Sequence, residues 1–431
     1  MLETDAKNIR GKTPIQGSIR LAGDKSISHR VLVMAFISGK PLKIHNLNRG
    51  QDCLHTLSCL QELGLKANWD EALELIGAAS PWTDQSHILY AGNSGTTVRL
   101  LMGLAAGLKG GAFTILGDES LSQRPMARVA LYLEPLGVKT LFPAGDGLPL
   151  TLTRAEAQPP HFMQLQIPSA QLKSAVLLAA LGGSQPLILR QQLTRNHSEL
   201  MLREFGADIS WRGEEVTLRP GKALNLPESY TVAGDISTGA FFAGAAAIDG
   251  QVTLQNCGIN PTRRAVLDVL AAMGSQVRYA NRRILHGEEV GAVEVTAGSL
   301  RAVDIGPELI PFLIDELPLL AAVALFAQGT TRVAGAGELK HKESDRLKAI
   351  ARLVQAFGGK IQLTSDGFVI HGGQKLYPGE FSSKDHRLVM AAAVAALFLP
   401  GLSRLAHWQA PEISAPGFWQ LLAGVCPGAG I

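Results

Sequence analysis

Six stretches of this chain are apolar on nearly every side, and each opens on a tight cluster of polar residues. The apolar bodies are Val31–Ile37, Val98–Ala106, Ala175–Leu181, Ala240–Ala247, Leu317–Phe326 and Val389–Leu399; the clusters start near Lys25, Asn93, Ser169, Asp235, Asp315 and Asp385. A helix that is apolar all round is buried, so the chain must cover six of them. A buried helix start leaves backbone N–H groups that need partners, and its dipole favours anions. Six heads built from Lys, Arg, Ser, Thr, Asn and Asp therefore make a natural site for anionic ligands.

A second repeat runs between the first. Amphipathic stretches end in an apolar residue and then Gly at Gly64, Gly137, Gly206, Gly274 and Gly358, and more weakly at Gly424. Gly in that place stops a helix because it accepts a left-handed backbone. Short alternating runs follow, such as Ala207–Trp211 and Lys360–Leu363, and read as strands. The unit is buried helix, strand, surface helix, Gly, strand. Its period of roughly 65–85 residues exceeds the about 20–50 of solenoid repeats. A boundary around Val232–Asp235 leaves three units on each side.

At 431 residues the chain can build two or more cores. A net charge of +3 and the lack of Lys/Arg runs give no support to nucleic-acid binding. The four cysteines show neither C-x-x-C nor zinc spacing and read as unpaired thiols of a reducing compartment. The polar segment Met1–Arg10 carries no signal-peptide core, and Val389–Pro400 is too short to span a bilayer. The expectation is a soluble cytoplasmic protein without membrane contact.

Several heads carry chemistry-bearing residues. Gly23–Arg30 places Lys25, Ser26 and Arg30 at one helix start, which suits phosphate or carboxylate. Gly92–Thr97 is a glycine-rich turn whose N–H groups can cradle an anion, yet it lacks the Walker ending. Arg124 stands before Pro125, expected at the first position of a helix. Gln171, behind Ser169, is placed to bond a substrate hydroxyl. Thr194–Glu199 reads as a helix start, with Thr194 or Asn196 as cap and Glu199 in a box position. Asp315 heads an apolar helix, where burial tunes a carboxyl. Lys342 and Arg346 are spaced to share one helix face, and Asp385-His386-Arg387 opens the last apolar helix. No metal, dinucleotide or nucleophile-elbow motif occurs, and no cofactor is expected.

Eight motifs stand in order along nearly the whole chain: GDKSISHR, GNSGTTVRLL, GDESLSQRPM, PSAQLKSA, GDISTGAFF, IDELPLL, KESDR and DHR. Together they resemble the 5-enolpyruvylshikimate-3-phosphate synthase family of enolpyruvyl transferases. The resemblance implies an α/β, two-lobed fold of six βαβαββ units, three per lobe, with buried parallel helices in an inside-out α/β barrel. Residues 21–233 would form one lobe, 1–20 with 234–431 the other, and the active site would lie in the interlobe cleft. It also implies a monomer acting on two small anions. Shikimate 3-phosphate would add its 5-hydroxyl to C2 of phosphoenolpyruvate, and the intermediate would lose phosphate. That is a transferase step of the shikimate pathway, on the route to chorismate and aromatic amino acids.

By the same resemblance Lys25, Asp315 and Glu343 are the catalytic set: Asp315 the base on the 5-hydroxyl, Glu343 the proton donor and acceptor at the methylene, Lys25 in contact with both substrates. Ser26, Arg30, Ser169, Ala170, Gln171, Arg195, Asp315 and Lys342 would hold shikimate 3-phosphate. Asn93, Gly95, Thr96, Arg124, Gln171, Lys342, Glu343, Arg346 and Arg387 would surround phosphoenolpyruvate. Gly95, where the family can carry Ala, leaves room for glyphosate, so competitive inhibition is expected. Departures from the family pattern fall at Thr194, Asn196, Ala415 and Ile413. Two other readings compete. UDP-N-acetylglucosamine enolpyruvyl transferases carry Lys-Asn at the first head and a loop Cys, where this chain has Lys25-Ser26 and none in Leu121–Met126. A catalytically silent phosphometabolite-binding relative would need neither Asp315 nor Glu343.

Overall fold

The computed structural model describes residues 6–78, 85–108 and 110–431. Each of the six apolar bodies forms most of a buried helix, Lys25–Ser38, Gly95–Leu104, Ala170–Leu181, Ile236–Ile248, Leu317–Ala324 and His386–Ala396, with the second, fifth and sixth bodies running two or three residues past the helix end. Local chemistry sets their ends. Asp24 accepts from the Ile27 amide at 2.9 Å and Gly39 closes the first helix at φ 67°. Ser94, Ser169, Asp235 and Asp385 cap the starts of four others in the same way. The surface helices also stop as expected, with Gly64, Gly137, Gly206, Gly274 and Gly358 all at positive φ. Gly424 does not: it sits inside the helix Phe418–Val425. Its φ is not positive, and the chain leaves that helix at Cys426 before Pro427, which cannot continue it.

The chain divides into two compact units. One holds the segment up to Ala22 with Ala233–Ile284 and Glu289–Ile431; the other holds Gly23–Val232 with Leu285–Glu288. Residues 1–5 of the expected amino-terminal segment lie outside the described residues. The short insert Leu285–Glu288 is the turn of a hairpin, and its Glu288 bonds His197 of the same unit at 2.6 Å.

Within the second unit three sheets repeat one plan. His87–Tyr90 runs parallel to Ala112–Leu116, which pairs antiparallel with Leu150–Arg154, itself antiparallel to Val138–Leu141. Phe162–Gln164, Leu187–Arg190, Glu215–Arg219 and Asp208–Arg212 repeat that order. The third sheet takes its first strand from far along the chain: Ser229–Thr231 lies parallel to Leu42–His45. The first unit shows the reciprocal arrangement, since Ile15–Arg20 lies parallel to Gly250–Gly258. Asp304–Ile305 opens a second sheet of the same plan, and a three-stranded sheet pairs Leu402–Ala406 with Ala6–Arg10 and Glu380–Ser382. The repeating βαβαββ unit is therefore present, built as separate open sheets; no closed barrel occurs among the described residues.

Each unit has helices at its centre. Ile27 through Phe36 are all buried, as are Ile236 through Ala247 and His386 through Ala396. Small residues allow close approach. A Cβ on Gly103 would lie 2.4 Å from the Ala175 carbonyl oxygen, so the helices Gly95–Leu104 and Ala170–Leu181 touch through backbone. Among the described residues no helix is long and apolar enough to cross a membrane.

Candidate active site

In the second unit the starts of the three buried helices are tied together by polar side chains. Lys25 Nζ meets Asp52 Oδ2 at 2.8 Å, from the first turn of the helix Gln51–Glu62. Arg30 is buried, and its guanidinium is spent within the unit: Nε donates to Ser198 Oγ at 2.8 Å, Nη2 to Ser174 Oγ at 2.7 Å and Nη1 to the Ser26 carbonyl at 2.9 Å. Burial lowers its pKa from 12.5 to about 10. His29, beside it, is held near pKa 3 by burial, against the pull of Asp52; its Nδ1 meets Thr56 Oγ1 at 2.6 Å.

Arg124 Nη2 donates to Asn93 Oδ1 at 2.5 Å, and Asn93 Nδ2 donates to Asp118 Oδ2 at 2.6 Å. The amide of Gln171 is held at both ends: Oε1 accepts from Arg99 Nη1 at 2.6 Å, and Nε2 donates to Thr96 Oγ1 at 2.7 Å. Ser169 caps the helix in which Ala170 is the first residue. Thr194 donates to Gln191 Oε1 at 3.2 Å, and Gln191 Nε2 donates to the Ile167 carbonyl at 2.6 Å. That departure residue therefore braces the loop before Ser169. Arg195 lies close enough to Arg30 to lower its pKa.

In the first unit three cations surround one carboxyl. Asp315 Oδ1 lies 3.4 Å from Arg346 Nη1 and 3.9 Å from Lys342 Nζ, and Oδ2 lies 4.0 Å from Arg387 Nη2. Arg387 Nη1 also donates to the Asp315 carbonyl at 3.0 Å. Arg346 is wholly buried; its Nε donates to Asp385 Oδ2 at 2.8 Å, and its Nη2 forms an ion pair with Glu343 Oε2 at 2.6 Å. Burial alone would lower its pKa, but Asp385, Glu343 and Asp315 raise it above the usual value. Asp385 in turn is lowered, since Arg346 outweighs its burial.

Three local expectations differ from what is found. Lys342 and Arg346 share no helix, because Asp345 caps a helix that begins at Arg346; they meet at Asp315 instead. Pro125 is not the first residue of a helix: the helix is Ala127–Leu133, and the Met126 amide before it bonds the Asp146 carbonyl. Glu199 makes no capping box but pairs with Lys173 at 2.5 Å, both buried. Arg99, Asp52, Ser174 and Ser198 were not singled out by sequence reasoning, although Arg99 stands four residues after Gly95 on the same helix, the spacing of neighbours.

Buried helix starts dense in cations, with two carboxyls among cations, define a protein that handles small anions. NikO of Streptomyces tendae, an enolpyruvyl transferase, shares the fold: TM-score 0.76 at 19% identity, over 98% of this chain and 97% of that one. The family profile of EPSP synthase (3-phosphoshikimate 1-carboxyvinyltransferase) matches residues 9–422. The chain is 39% identical over 425 residues to the 3-phosphoshikimate 1-carboxyvinyltransferase of Parasynechococcus marenigrum, covering 96% of each. It is 40% identical over 417 residues to that of Syntrophomonas wolfei, 95% of this chain and 97% of the relative. EPSP synthase from Acinetobacter baumannii superposes with TM-score 0.84 at 31% identity, over 98% of both chains. The chain belongs to the EPSP synthase family.

Proposed function

We propose that this chain transfers the enolpyruvyl group of phosphoenolpyruvate to the 5-hydroxyl of shikimate 3-phosphate and releases phosphate. The observation that carries the reading is Asp315 among Lys342, Arg346 and Arg387, with Glu343 bonded to Arg346, in a member of this family. The step needs two acid–base groups. Asp315 takes the 5-hydroxyl proton as that oxygen bonds to C2, and Glu343 delivers a proton to C3. In the second half the C3 proton returns to Glu343, the C2–oxygen bond to phosphate breaks, and the departing phosphate takes up the proton that Asp315 had removed, so both carboxyls end as they began. Glu343 starts ion-paired with Arg346, so an incoming carboxylate or phosphate that takes over Arg346 frees it for this work. Lys25, Ser26, Arg30, Ser169, Ala170, Gln171 and Arg195, with Asp315 and Lys342, serve shikimate 3-phosphate. Lys25, Asn93, Gly95, Thr96, Arg124, Gln171, Lys342, Glu343, Arg346 and Arg387 serve phosphoenolpyruvate. Arg30, already bonded to Ser174 and Ser198, acts mainly by fixing the first turn of the helix that carries Ser26 and by its charge. The reading is of a monomeric cytoplasmic enzyme.

Phosphate release from phosphoenolpyruvate, with shikimate 3-phosphate or UDP-N-acetylglucosamine as acceptor, tests the proposal. Release with shikimate 3-phosphate alone is expected. Release with the sugar nucleotide, or silence with both in a folded sample, overturns it.

A further inference from the structure

Gln171 presents a side-chain amide whose two ends have opposite hydrogen-bonding character, so its use depends on which end faces a ligand. Its Nε2 contacts Thr96 Oγ1 at 2.7 Å, but a hydroxyl accepts and donates, and would receive either end. Arg99 discriminates. A guanidinium only donates, so the atom 2.6 Å from Arg99 Nη1 must be Oε1. Arg99 is itself steadied by the Gly95 carbonyl at 3.2 Å, one helical turn back. We infer that Arg99 is a positioning residue, which sets the orientation of the Gln171 amide so that a remaining N–H, rather than the carbonyl oxygen, meets the anionic substrates. This rests on the function proposed above.

Gly95 stands against the same guanidinium. A Cβ there would stand 2.8 Å from Arg99 Nη1 and 3.5 Å from Arg124 Nη1. The neighbour that must give way is the end of a flexible side chain, so a Gly95→Ala protein folds, with its Arg99 guanidinium displaced. Loss of the guanidinium leaves Thr96 indifferent to the two amide orientations, and in one of them a carbonyl oxygen opposes the substrate's negative charge.

Steady-state kinetics of wild type, Arg99→Met, Arg99→Lys, Gln171→Leu and the Arg99→Met/Gln171→Leu double variant test the assignment. Arg99→Met should raise KM for both substrates about tenfold, the scale of one charge-assisted hydrogen bond, with a smaller fall in kcat. Arg99→Lys, still a pure donor, should recover most of the loss. The double variant should be no worse than Gln171→Leu, because both changes remove the same contact. KM values for Arg99→Met within twofold of wild type, or a double variant whose KM is the product of the singles' effects, overturns the inference. Should Arg99→Met fail to melt cooperatively, Gly95→Ala takes its place: a KM rise abolished in the Gln171→Leu background supports the assignment, and an undiminished rise overturns it. An inactive wild type would sink the proposed reaction; an active wild type with unaffected variants would sink this role alone.

Discussion

Arg30 in one unit and Arg346 in the other are both buried at a cluster of helix starts, and the two are treated in opposite ways. Arg30 is bonded to two serine hydroxyls and a carbonyl, and burial lowers its pKa to about 10. Arg346 is hydrogen-bonded to Asp385, ion-paired with Glu343 and near Asp315, and has its pKa raised. Neutral partners orient a charge without cancelling it, so the field of Arg30 is offset only from further off, by Glu199, Asp24 and Glu288. Carboxylate partners cancel the charge of Arg346, and two of those partners are the acids that the proposed chemistry needs. In the proposed reaction the second unit would thus attract, and the first would exchange protons once an anion had displaced an internal one.

The strongest break would come at Glu343. Glu343→Gln keeps the size and an acceptor but cannot cycle a proton, so kcat should fall by about 10²–10⁴ while KM changes little. Single-turnover measurement of phosphate release checks this, and near-normal turnover would remove Glu343 from its assigned place.

Much of the above was legible in sequence, and the part that was not has a physical cause. Helices buried on every face announce themselves by composition, and left-handed Gly residues announce their stops, so the repeat could be read. The exchange of Ile15–Arg20 and Ser229–Thr231 between repeats was not visible strand by strand, because pairing across the sheet leaves no local mark. The heads were found, but not their wiring: Arg30 reaches Ser174 and Ser198, 144 and 168 residues away. Spacing misled where charges were read as one helix face, since Asp345 caps the helix after Lys342.

The two arginines also separate in stability. Arg346→Met leaves Asp385, whose side chain is fully buried, without its cation, and should cost about 3–5 kcal/mol. Arg30→Met leaves Ser174 and Ser198, which already meet each other at 2.6 Å, and should cost about 1–3 kcal/mol. Urea denaturation compares them; equal costs would break the contrast between charged and neutral partners.

His29 extends the neutral-partner pattern and adds a pH signature. Burial holds its ring uncharged down to about pH 3 in the folded protein, whereas the unfolded chain protonates near 6.5. Below about 6.5 the unfolded state therefore binds more protons, and stability falls as pH falls, by up to ~1.4 kcal/mol per unit until about pH 3. Above 6.5 the group contributes no slope. His29→Asn should flatten stability against pH in that acid window; an unchanged slope in urea melts between pH 6.5 and 4 would show that the ring is charged in the fold.

The gentlest test asks whether the carboxyls of the first unit restrain its cations before substrate arrives. Asp315 faces Lys342, Arg346 and Arg387 at 3.4 to 4.0 Å, and its side chain is 18% exposed, so water screens part of the attraction. Asp315→Asn keeps the shape and removes one negative charge, leaving more of the three cations' field for a bound anion. Turnover should fall with the loss of the base, yet phosphoenolpyruvate should bind more tightly, by roughly fivefold, the scale of one partly exposed charge pair. Titration calorimetry reads this directly, and the gain should shrink as salt is raised. Weaker binding in Asp315→Asn would mean that the carboxyl organises the cations rather than competing for them, and the two units would then differ less than their arginines suggest.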